Sequence, residues 1–193
     1  MDERKNVKSL LKERLGQDLL GILKRISQVA DRSEVTVFAV GGFVRDLLLN
    51  IPNKDIDIVV EGDEILFTSN LAEEFDGKVK SHEKFGTSVV IFPDGYRIDV
   101  AMARVEYYEY PAALPTVKQS SINSDLYRRD FTVNAIAASL MDKNFGEIYD
   151  PLNGISDLNK GLLITPKDPD ITFSDDPLRM LRAIRFATVL NFT

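Results

Sequence analysis

The segment Val40-Gly41-Gly42-Phe43-Val44-Arg45-Asp46 is the most informative part of this chain, together with the nearby Asp55-Ile56-Asp57-Ile58. The residues that lead into it, Thr36–Val40, are apolar or β-branched, as expected of a buried strand. Two glycines follow, and backbone N–H groups at glycines can approach a ligand without interference from a Cβ atom. Val44–Leu49 then begins a helix, whose N-terminus favours a phosphate. The segment therefore predicts a strand, a phosphate-binding turn and a short helix.

Two aspartates open the next predicted strand. Asp55 and Asp57 lie two residues apart, so on a strand they project from the same face. Neighbouring carboxylates repel each other unless a cation lies between them. Mg²⁺ suits such oxygen ligands and is usually shared between a few carboxylates and substrate phosphates. A solvated strand end is the alternative, but Ile56 and Ile58 form a wholly apolar opposite face. A phosphate site beside a metal site predicts nucleotidyl transfer.

Length and composition exclude several classes of protein. A chain of 193 residues can form one domain, with the start of a second. Cysteine is absent, which excludes disulfides and thiolate metal sites, and the single histidine, His82, excludes a multi-histidine zinc centre. The net charge of -6 is the wrong sign for a general nucleic-acid binder. The apolar runs are too short to span a bilayer and no signal-peptide pattern opens the chain, so we expect a cytoplasmic protein with no membrane partner.

Periodicity and turn residues predict the remaining elements. Apolar spacing from Val7 to Ala30 predicts one N-terminal helix, and Pro93-Asp94-Gly95 indicates a hairpin turn between two strands. We further expect helices at Asp63–Phe75, Ser124–Leu140 (in two pieces) and Phe173–Leu190, strands at Lys78–Ser81, Thr87–Phe92 and Tyr96–Ala101, an irregular loop over Met102–Ser121 and a short turn at Ser156–Lys160. Alternating strands and helices with a hairpin predict a mixed sheet with helices on one side.

Four motifs in order carry a resemblance to a known family. They are the glycine segment with its two aspartates, Arg128-Arg129-Asp130-Phe131-Thr132-Val133-Asn134-Ala135, Asp150-Pro151-Leu152-Asn153-Gly154 with Asp157-Leu158, and Asp175-Asp176-Pro177-Leu178-Arg179. From about Val37 onward the chain resembles the polymerase-beta-type nucleotidyltransferases. More narrowly, it resembles the class II tRNA nucleotidyltransferases, or CCA-adding enzymes, and their poly(A) polymerase relatives.

The resemblance implies an α+β head domain followed by the start of a helical neck. We expect an N-terminal helix at 1–32, the catalytic head at 33–165 and the neck at 166–193. Helical body and tail domains follow in the family, so a fragment or a very short member is expected. Their absence would leave the chain with little to hold tRNA.

The resemblance also implies roles for single residues near the phosphates. Gly42, Arg45 and Arg129 match the family's nucleotide contacts, and Asp130 matches a position near the sugar. An ion pair from Arg45 to Asp46 or Asp55 is the alternative for Arg45, and a helix N-cap is the alternative for Asp130. Asp99 is either a third catalytic carboxylate beside Asp55 and Asp57 or an ordinary ion-pair partner of Arg97.

The last motif implies recognition of the base. In the family, the positions of Asp176 and Arg179 pair with the edge of the incoming base, favouring the exocyclic amine shared by cytosine and adenine. Guanine and uracil present the wrong pattern. Arg182 and Arg185 continue the same ribbon, for which a solvated basic face is the alternative. The chain departs from the family at Asp175, where glutamate is usual.

The expected function is addition of C, A or both to the 3′ end of tRNA from CTP and ATP with Mg²⁺. Relatives that add only A or only CC, and poly(A) polymerases, are close alternatives. Phe85–Val90 resembles the CCA-adding pattern more than the arginine-rich strand of those poly(A) polymerases. A nucleotide-binding module without catalysis is the alternative from a different class.

Overall fold

The structure is a computed structural model that describes residues 6–193; residues 1–5 of the expected N-terminal segment lie outside the described residues. The helices are α1 (Lys8–Arg14), α2 (Gln17–Arg32), α3 (Gly42–Leu49), α4 (Glu64–Glu74), α5 (Ile122–Tyr127), α6 (Gly154–Lys160), α7 (Pro169–Asp175) and α8 (Leu178–Leu190). The strands are β1 (Thr36–Val40), β2 (Ile56–Glu61), β3 (Lys78–His82), β4 (Thr87–Ile91), β5 (Arg97–Met102), β6 (Arg104–Tyr107), β7 (Thr116–Gln119), β8 (Ala137–Ser139) and β9 (Ile148–Tyr149).

A mixed seven-stranded sheet in the order β3-β4-β5-β2-β1-β8-β9 forms the centre of the molecule. β2 and β5 run parallel, whereas the other neighbouring strands are antiparallel. The alternation of side chains along each strand divides the core between the two faces. Val37 and Ala39 of β1 pack into the main cluster with α1 to α4, whereas Phe38 and Val40 pack with α5 on the other face.

The mixed sheet and the elements from β1 to β5 confirm the sequence-based expectation. The hairpin predicted at Pro93-Asp94-Gly95 joins β4 to β5 in antiparallel register. Helix α4 begins after Asp63, whose carboxylate accepts from the Leu66 backbone N–H at 2.9 Å, an N-cap contact. Helices α1 to α4 lie on one side of the sheet, and the short α5 covers the other.

The N-terminal and C-terminal helices are each divided in two. The single helix expected from Val7 to Ala30 is wrong, because extended backbone at Leu15 and Gly16 separates α1 from α2. The single helix expected over Phe173–Leu190 is also wrong. Pro177 disfavours helical backbone at the residue before it, and Asp176 is accordingly extended between α7 and α8.

Three expectations between residues 102 and 160 are also wrong. The irregular loop over Met102–Ser121 contains a separate two-stranded sheet of β6 and β7. The two-piece helix over Ser124–Leu140 is instead α5, a short 3₁₀ turn at Thr132–Asn134 and strand β8 beside β1. The turn expected at Ser156–Lys160 is part of helix α6.

Within residues 6–193, none of the helices combines the length and apolar character that a membrane crossing needs.

Candidate nucleotide and metal site

A cleft of about 430 Å³ lies where α3, β2, the segment after α5 and helix α8 meet. It gathers the sequence-predicted site residues Gly42, Arg45, Asp55, Asp57, Arg129, Asp130, Asp176, Arg179, Arg182 and Arg185. The structure adds residues to which sequence reasoning gave no role, namely Asn53, Arg128, Asn134 and Phe186. Asp99 is the one predicted site residue outside this lining. Segments far apart in the chain therefore converge on one cleft, as the four motifs predicted.

The glycine turn brings backbone close to the charged groups of the cleft. Gly41 has φ of 66°, a conformation that side chains with a Cβ rarely adopt. A Cβ at Gly41 would lie 3.1 Å from Nη1 of Arg129 and 3.8 Å from Oδ2 of Asp57. At Gly42 the nearest such atom is Nη2 of Arg45 at 3.6 Å, an ordinary contact. The need for glycine therefore falls on Gly41, which the sequence analysis did not single out as a site residue.

The acidic group lies at the start of β2. Asp57 is half-buried and Asp55 is exposed just before the strand. Burial, followed by the charges of Asp99 and Asp55, raises the pKa of Asp57 to about 6, while Arg129 acts in the opposite direction. A carboxylate held this way is stabilised by a cation, because the cation offsets both the desolvation and the like charges.

Asp99 lies beside Asp57 in the sheet. The two residues are directly paired in the parallel register of β2 and β5, so their side chains share a face. Among the ion pairs within residues 6–193, none joins Asp99 to Arg97. The geometry therefore favours the third-carboxylate alternative over the ion pair with Arg97. In the same part of the chain, no three His, Cys, Asp or Glu side chains form a ready metal cluster.

Arg45 is buried and held in place by its neighbours. Its Nη2 lies 2.7 Å from Oδ1 of Asp46, and its Nη1 donates to Oδ1 of Asn134 at 2.7 Å. The ion pair to Asp46 that was the alternative for Arg45 is thus present. Asn53 donates to the other oxygen of Asp46 at 2.8 Å, which completes a small network. This network fixes the guanidinium at the wall of the cleft.

Arg129 is oriented by a carboxylate that is fully buried. Asp125 accepts from Nη2 of Arg129 at 2.9 Å and pairs with Nη2 of Arg128 at 2.6 Å. These guanidinium groups hold the pKa of Asp125 below its usual range despite its burial. Arg128 also pairs with Glu106 of β6 at 2.9 Å, and Arg104 lies at 2.9 Å from the same oxygen. The i,i+3 and i,i+4 spacing of Asp125 from the two arginines was the sequence signal for this cluster.

Helix α8 closes the cleft from the opposite side. Arg182 pairs with Oδ2 of Asp130 through Nε and Nη2, both at 2.7 Å. Asp130 follows α5 and does not begin a helix, so the expected helix opening at Arg128–Asp130 is wrong. Its other oxygen accepts from the Phe131 N–H at 2.8 Å and from Asn134 at 3.1 Å.

Asp176 and Arg179 lie together at the start of α8. Oδ2 of Asp176 is 3.7 Å from Nε of Arg179, and its Oδ1 accepts from the Leu178 N–H at 3.0 Å. Arg179 is largely buried and also donates to the Arg128 carbonyl at 3.0 Å. The pair is therefore held by the α8 N-terminus and the segment after α5.

Phe186 is a buried aromatic group between three arginines. Its ring centroid lies 5.2 Å from the guanidinium carbons of Arg45 and Arg182, and 5.8 Å from that of Arg185. Such cation–π contacts hold guanidinium groups together that would otherwise repel. Six arginines and four aspartates line the cleft, although the chain as a whole carries a net charge of -6. The cleft therefore suits a polyanion with a cation at its acidic end.

Comparison with known proteins places this geometry in a family. A family model described as the poly A polymerase head domain matches residues 37–164. An A-adding tRNA nucleotidyltransferase from Geobacter sulfurreducens is 47% identical over 98% of this chain and 21% of its own length. One from Halalkalibacterium halodurans is 40% identical over 97% of this chain and 43% of its own length. The chain thus spans less than half of either relative.

Solved structures agree with this assignment. A CCA-adding enzyme in an apo form superposes with a TM-score of 0.91 and 45% identity, covering 98% of this chain and 44% of that one. The Thermotoga maritima CCA-adding enzyme complexed with tRNA gives a TM-score of 0.86 and 40% identity, covering 98% and 42%. From its four motifs, its fold and these matches, the chain belongs to the poly A polymerase head-domain family.

Proposed function

We propose that this chain is the catalytic head of a tRNA nucleotidyltransferase, which adds C, A or both to the 3′ end of tRNA from CTP and ATP and releases pyrophosphate. The observation that carries the proposal is the single cleft in which an acidic group, a glycine turn and six arginines meet. The relatives named as A-adding and CCA-adding enzymes support this choice of substrate. The division into an N-terminal segment, a head and a neck at residue 165 remains a proposal, as does a cytoplasmic location.

The acidic group fits Mg²⁺. The raised pKa of Asp57 is the property of a desolvated carboxylate that a divalent cation would stabilise. Asp55 and Asp57 would hold the ion, with Asp99 beside them, and its remaining ligands would be water and substrate phosphate, as is usual for Mg²⁺. When bound, the ion lowers the pKa of the attacking hydroxyl and neutralises developing phosphate charge.

The arginines bind and orient the triphosphate. Arg129 and Arg45 lie on either side of the glycine turn, and a guanidinium presents a rigid set of donors to phosphate oxygens. Asp125 and Asp46 hold them in place, so little side-chain entropy is lost when the nucleotide binds. The same contacts stabilise the charge that develops on the leaving pyrophosphate.

Base selection is assigned to the beginning of α8. Asp176 can accept from the exocyclic amine of cytosine or adenine, and Arg179 can donate to ring acceptors. Asp130, positioned by Arg182, is assigned to the ribose. Arg182 and Arg185 complete the cationic wall of the cleft.

Addition of A alone is a specific second candidate. Two A-adding relatives are 47% and 40% identical to this chain, whereas curated CCA-adding enzymes are 32% to 37% identical. CC-only addition, poly(A) synthesis and nucleotide binding without catalysis are less favoured by these identities.

A transfer assay tests the proposal and separates the candidate activities. The protein is incubated with Mg²⁺ and labelled CTP or ATP, with one tRNA that lacks CCA and one that ends in CC. Incorporation of C into the first tRNA and A into the second indicates CCA addition, whereas A into the second alone indicates an A-adding enzyme. Incorporation of neither, with intact nucleotide binding, would replace the proposal with a non-catalytic module.

A further inference from the structure

One side of the central sheet is left open next to the acidic group. The other side of strands β3, β4 and β5 is covered by α4, against which Val90, Ile98 and Val100 are buried. The alternate side chains of the three strands remain accessible. We call this surface the open face, and its side chains are Lys78, Lys80, Val89, Ile91, Arg97 and Asp99.

The strand register makes the open face continuous with Asp57. Asp57 is paired with Asp99, Asp99 with Val89, and Val89 with Lys80. Directly paired residues project from the same face of a sheet. One row of side chains therefore runs from the proposed metal ligand to the edge strand. At about 4.8 Å per strand, three steps span about 14 Å, a few nucleotides of extended RNA.

The open face has the chemistry of a surface for single-stranded nucleic acid. Arg97 is paired with Ile91, and Ile91 with Lys78, so a second row places two more cations around aliphatic groups. Three cations on one face are notable in a chain with net charge -6. Lysine and arginine attract phosphates, and the aliphatic groups between them can contact sugars and bases.

The direction of the reaction places the acceptor on this side. Gly41 follows β1, which borders β2 on the side away from β5, so the proposed triphosphate site lies on the β1 side of Asp57. In phosphoryl transfer the attacking and leaving oxygens are roughly in line on opposite sides of phosphorus. The acceptor hydroxyl must then approach from the β5 side, where the open face begins.

We propose that the open face binds the last nucleotides of the acceptor RNA strand, with Lys78, Lys80 and Arg97 contacting its phosphates. The inference rests on the proposed function and extends it to the second substrate. It gives this chain an RNA surface of its own, weak because few cations form it, in addition to the nucleotide cleft.

Fluorescence anisotropy with a short labelled single-stranded RNA ending in two cytidines, at low salt, tests the inference. The double variant Lys78→Ala/Lys80→Ala should bind this RNA about tenfold more weakly than the unmodified chain. The slope of log affinity against log salt should fall by about 0.7 for each lost contact. The matched control is Lys12→Ala/Lys24→Ala, two exposed lysines of α1 and α2 on the covered side of the sheet. This control should bind RNA as the unmodified chain does.

Calorimetry of CTP with Mg²⁺ on the same proteins separates the two proposals. The Lys78/Lys80 variant should bind CTP normally, since neither lysine lines the cleft. RNA affinity that is unchanged in this variant, equally reduced in the control, or unmeasurable in the unmodified chain would overturn the open-face inference and leave the nucleotide site standing. RNA binding through the two lysines without any CTP binding would instead remove the proposed function and keep the RNA surface.

Discussion

Asp57 is the residue at which folding and the proposed function oppose each other most clearly. Its carboxylate is desolvated and faces Asp99 and Asp55, and these effects raise its pKa to about 6 despite Arg129. Near neutral pH the residue is therefore largely ionised at a cost to the metal-free fold. A buried charge that destabilises the protein without its ligand is typical of a binding or catalytic site.

Asp57→Asn should stabilise the metal-free protein while removing transfer. Because the lost charge is the unfavourable one, the free energy of unfolding should rise by an amount on the order of 2 kcal/mol. Urea denaturation at pH 7 measures this change, and turnover should fall by several orders of magnitude. Asp55→Asn should also abolish turnover, but this residue is exposed, so stability should change by less than about 0.5 kcal/mol. Near-normal turnover in either variant would remove the aspartates from the reaction.

Single residues also set the limit of sequence-based prediction. Asp57 and Arg129 were predicted because they lie in motifs of a known family. Phe186 and Asn134 gave no such signal, since a phenylalanine in a helix and an asparagine in a turn are ordinary structural residues. Their place beside Arg45 depends on contacts between segments far apart in the chain.

At the scale of elements, a charged network joins the β6–β7 sheet to the cleft. Glu106 of β6 pairs with Arg128, Arg128 with Asp125, and Asp125 with Arg129. Asp125 has no exposed surface, so it is the centre of the network. Loss of one partner of a buried ion pair is costly because a buried charge is left uncompensated.

Asp125→Asn should therefore destabilise the protein by about 3 kcal/mol, measured by urea denaturation at pH 7. The arginines lower the folded pKa of Asp125. The stabilisation is thus present above the unfolded pKa of about 4 and is lost as the pH falls through the folded pKa. The difference between the variant and the unmodified chain should shrink as the pH falls below about 4. Glu73→Gln, an exposed change on α4, is the control and should leave stability unchanged. A constant difference at all pH values would contradict this account.

Helix α8 carries the predicted base selection. Arg179→Ala should weaken discrimination of CTP and ATP against UTP and GTP, by about 1–3 kcal/mol for a lost base-edge contact. Competition calorimetry with the four nucleotides measures this effect. Met180→Ala, a half-exposed change on the same helix but outside the cleft lining, is the control. Equal losses for all four nucleotides would reassign Arg179 to phosphate binding or to support of the Arg128 carbonyl.

The elements that were mispredicted share a physical cause. The short apolar run that ends in β8 fits a helix or a strand equally well, and only pairing with β1 decides between them. The strands β6 and β7 are short and carry several exposed residues, so tyrosines and prolines nearby indicated a loop. The break before α8 did have a local signal, because Pro177 restricts Asp176.

At the scale of the whole molecule, the sheet order explains how both substrates can reach one acidic group. The phosphate turn follows β1 on one side of β2, and the open face begins at β5 on the other. The sequence predicted the mixed sheet and most of the cleft, because ordered motifs identify a family whose fold is known. It could not predict the open face, which depends on strand register and on which side α4 covers.

The central claim is that the cleft is a metal-dependent site for CTP and ATP, and calorimetry on the 193-residue chain tests it most directly. CTP and ATP should bind with one nucleotide per chain in the presence of Mg²⁺. Binding should be much weaker with EDTA, and in Asp57→Asn it should no longer depend on Mg²⁺. Binding of equal strength with and without Mg²⁺, or full Mg²⁺ dependence in Asp57→Asn, would contradict the account.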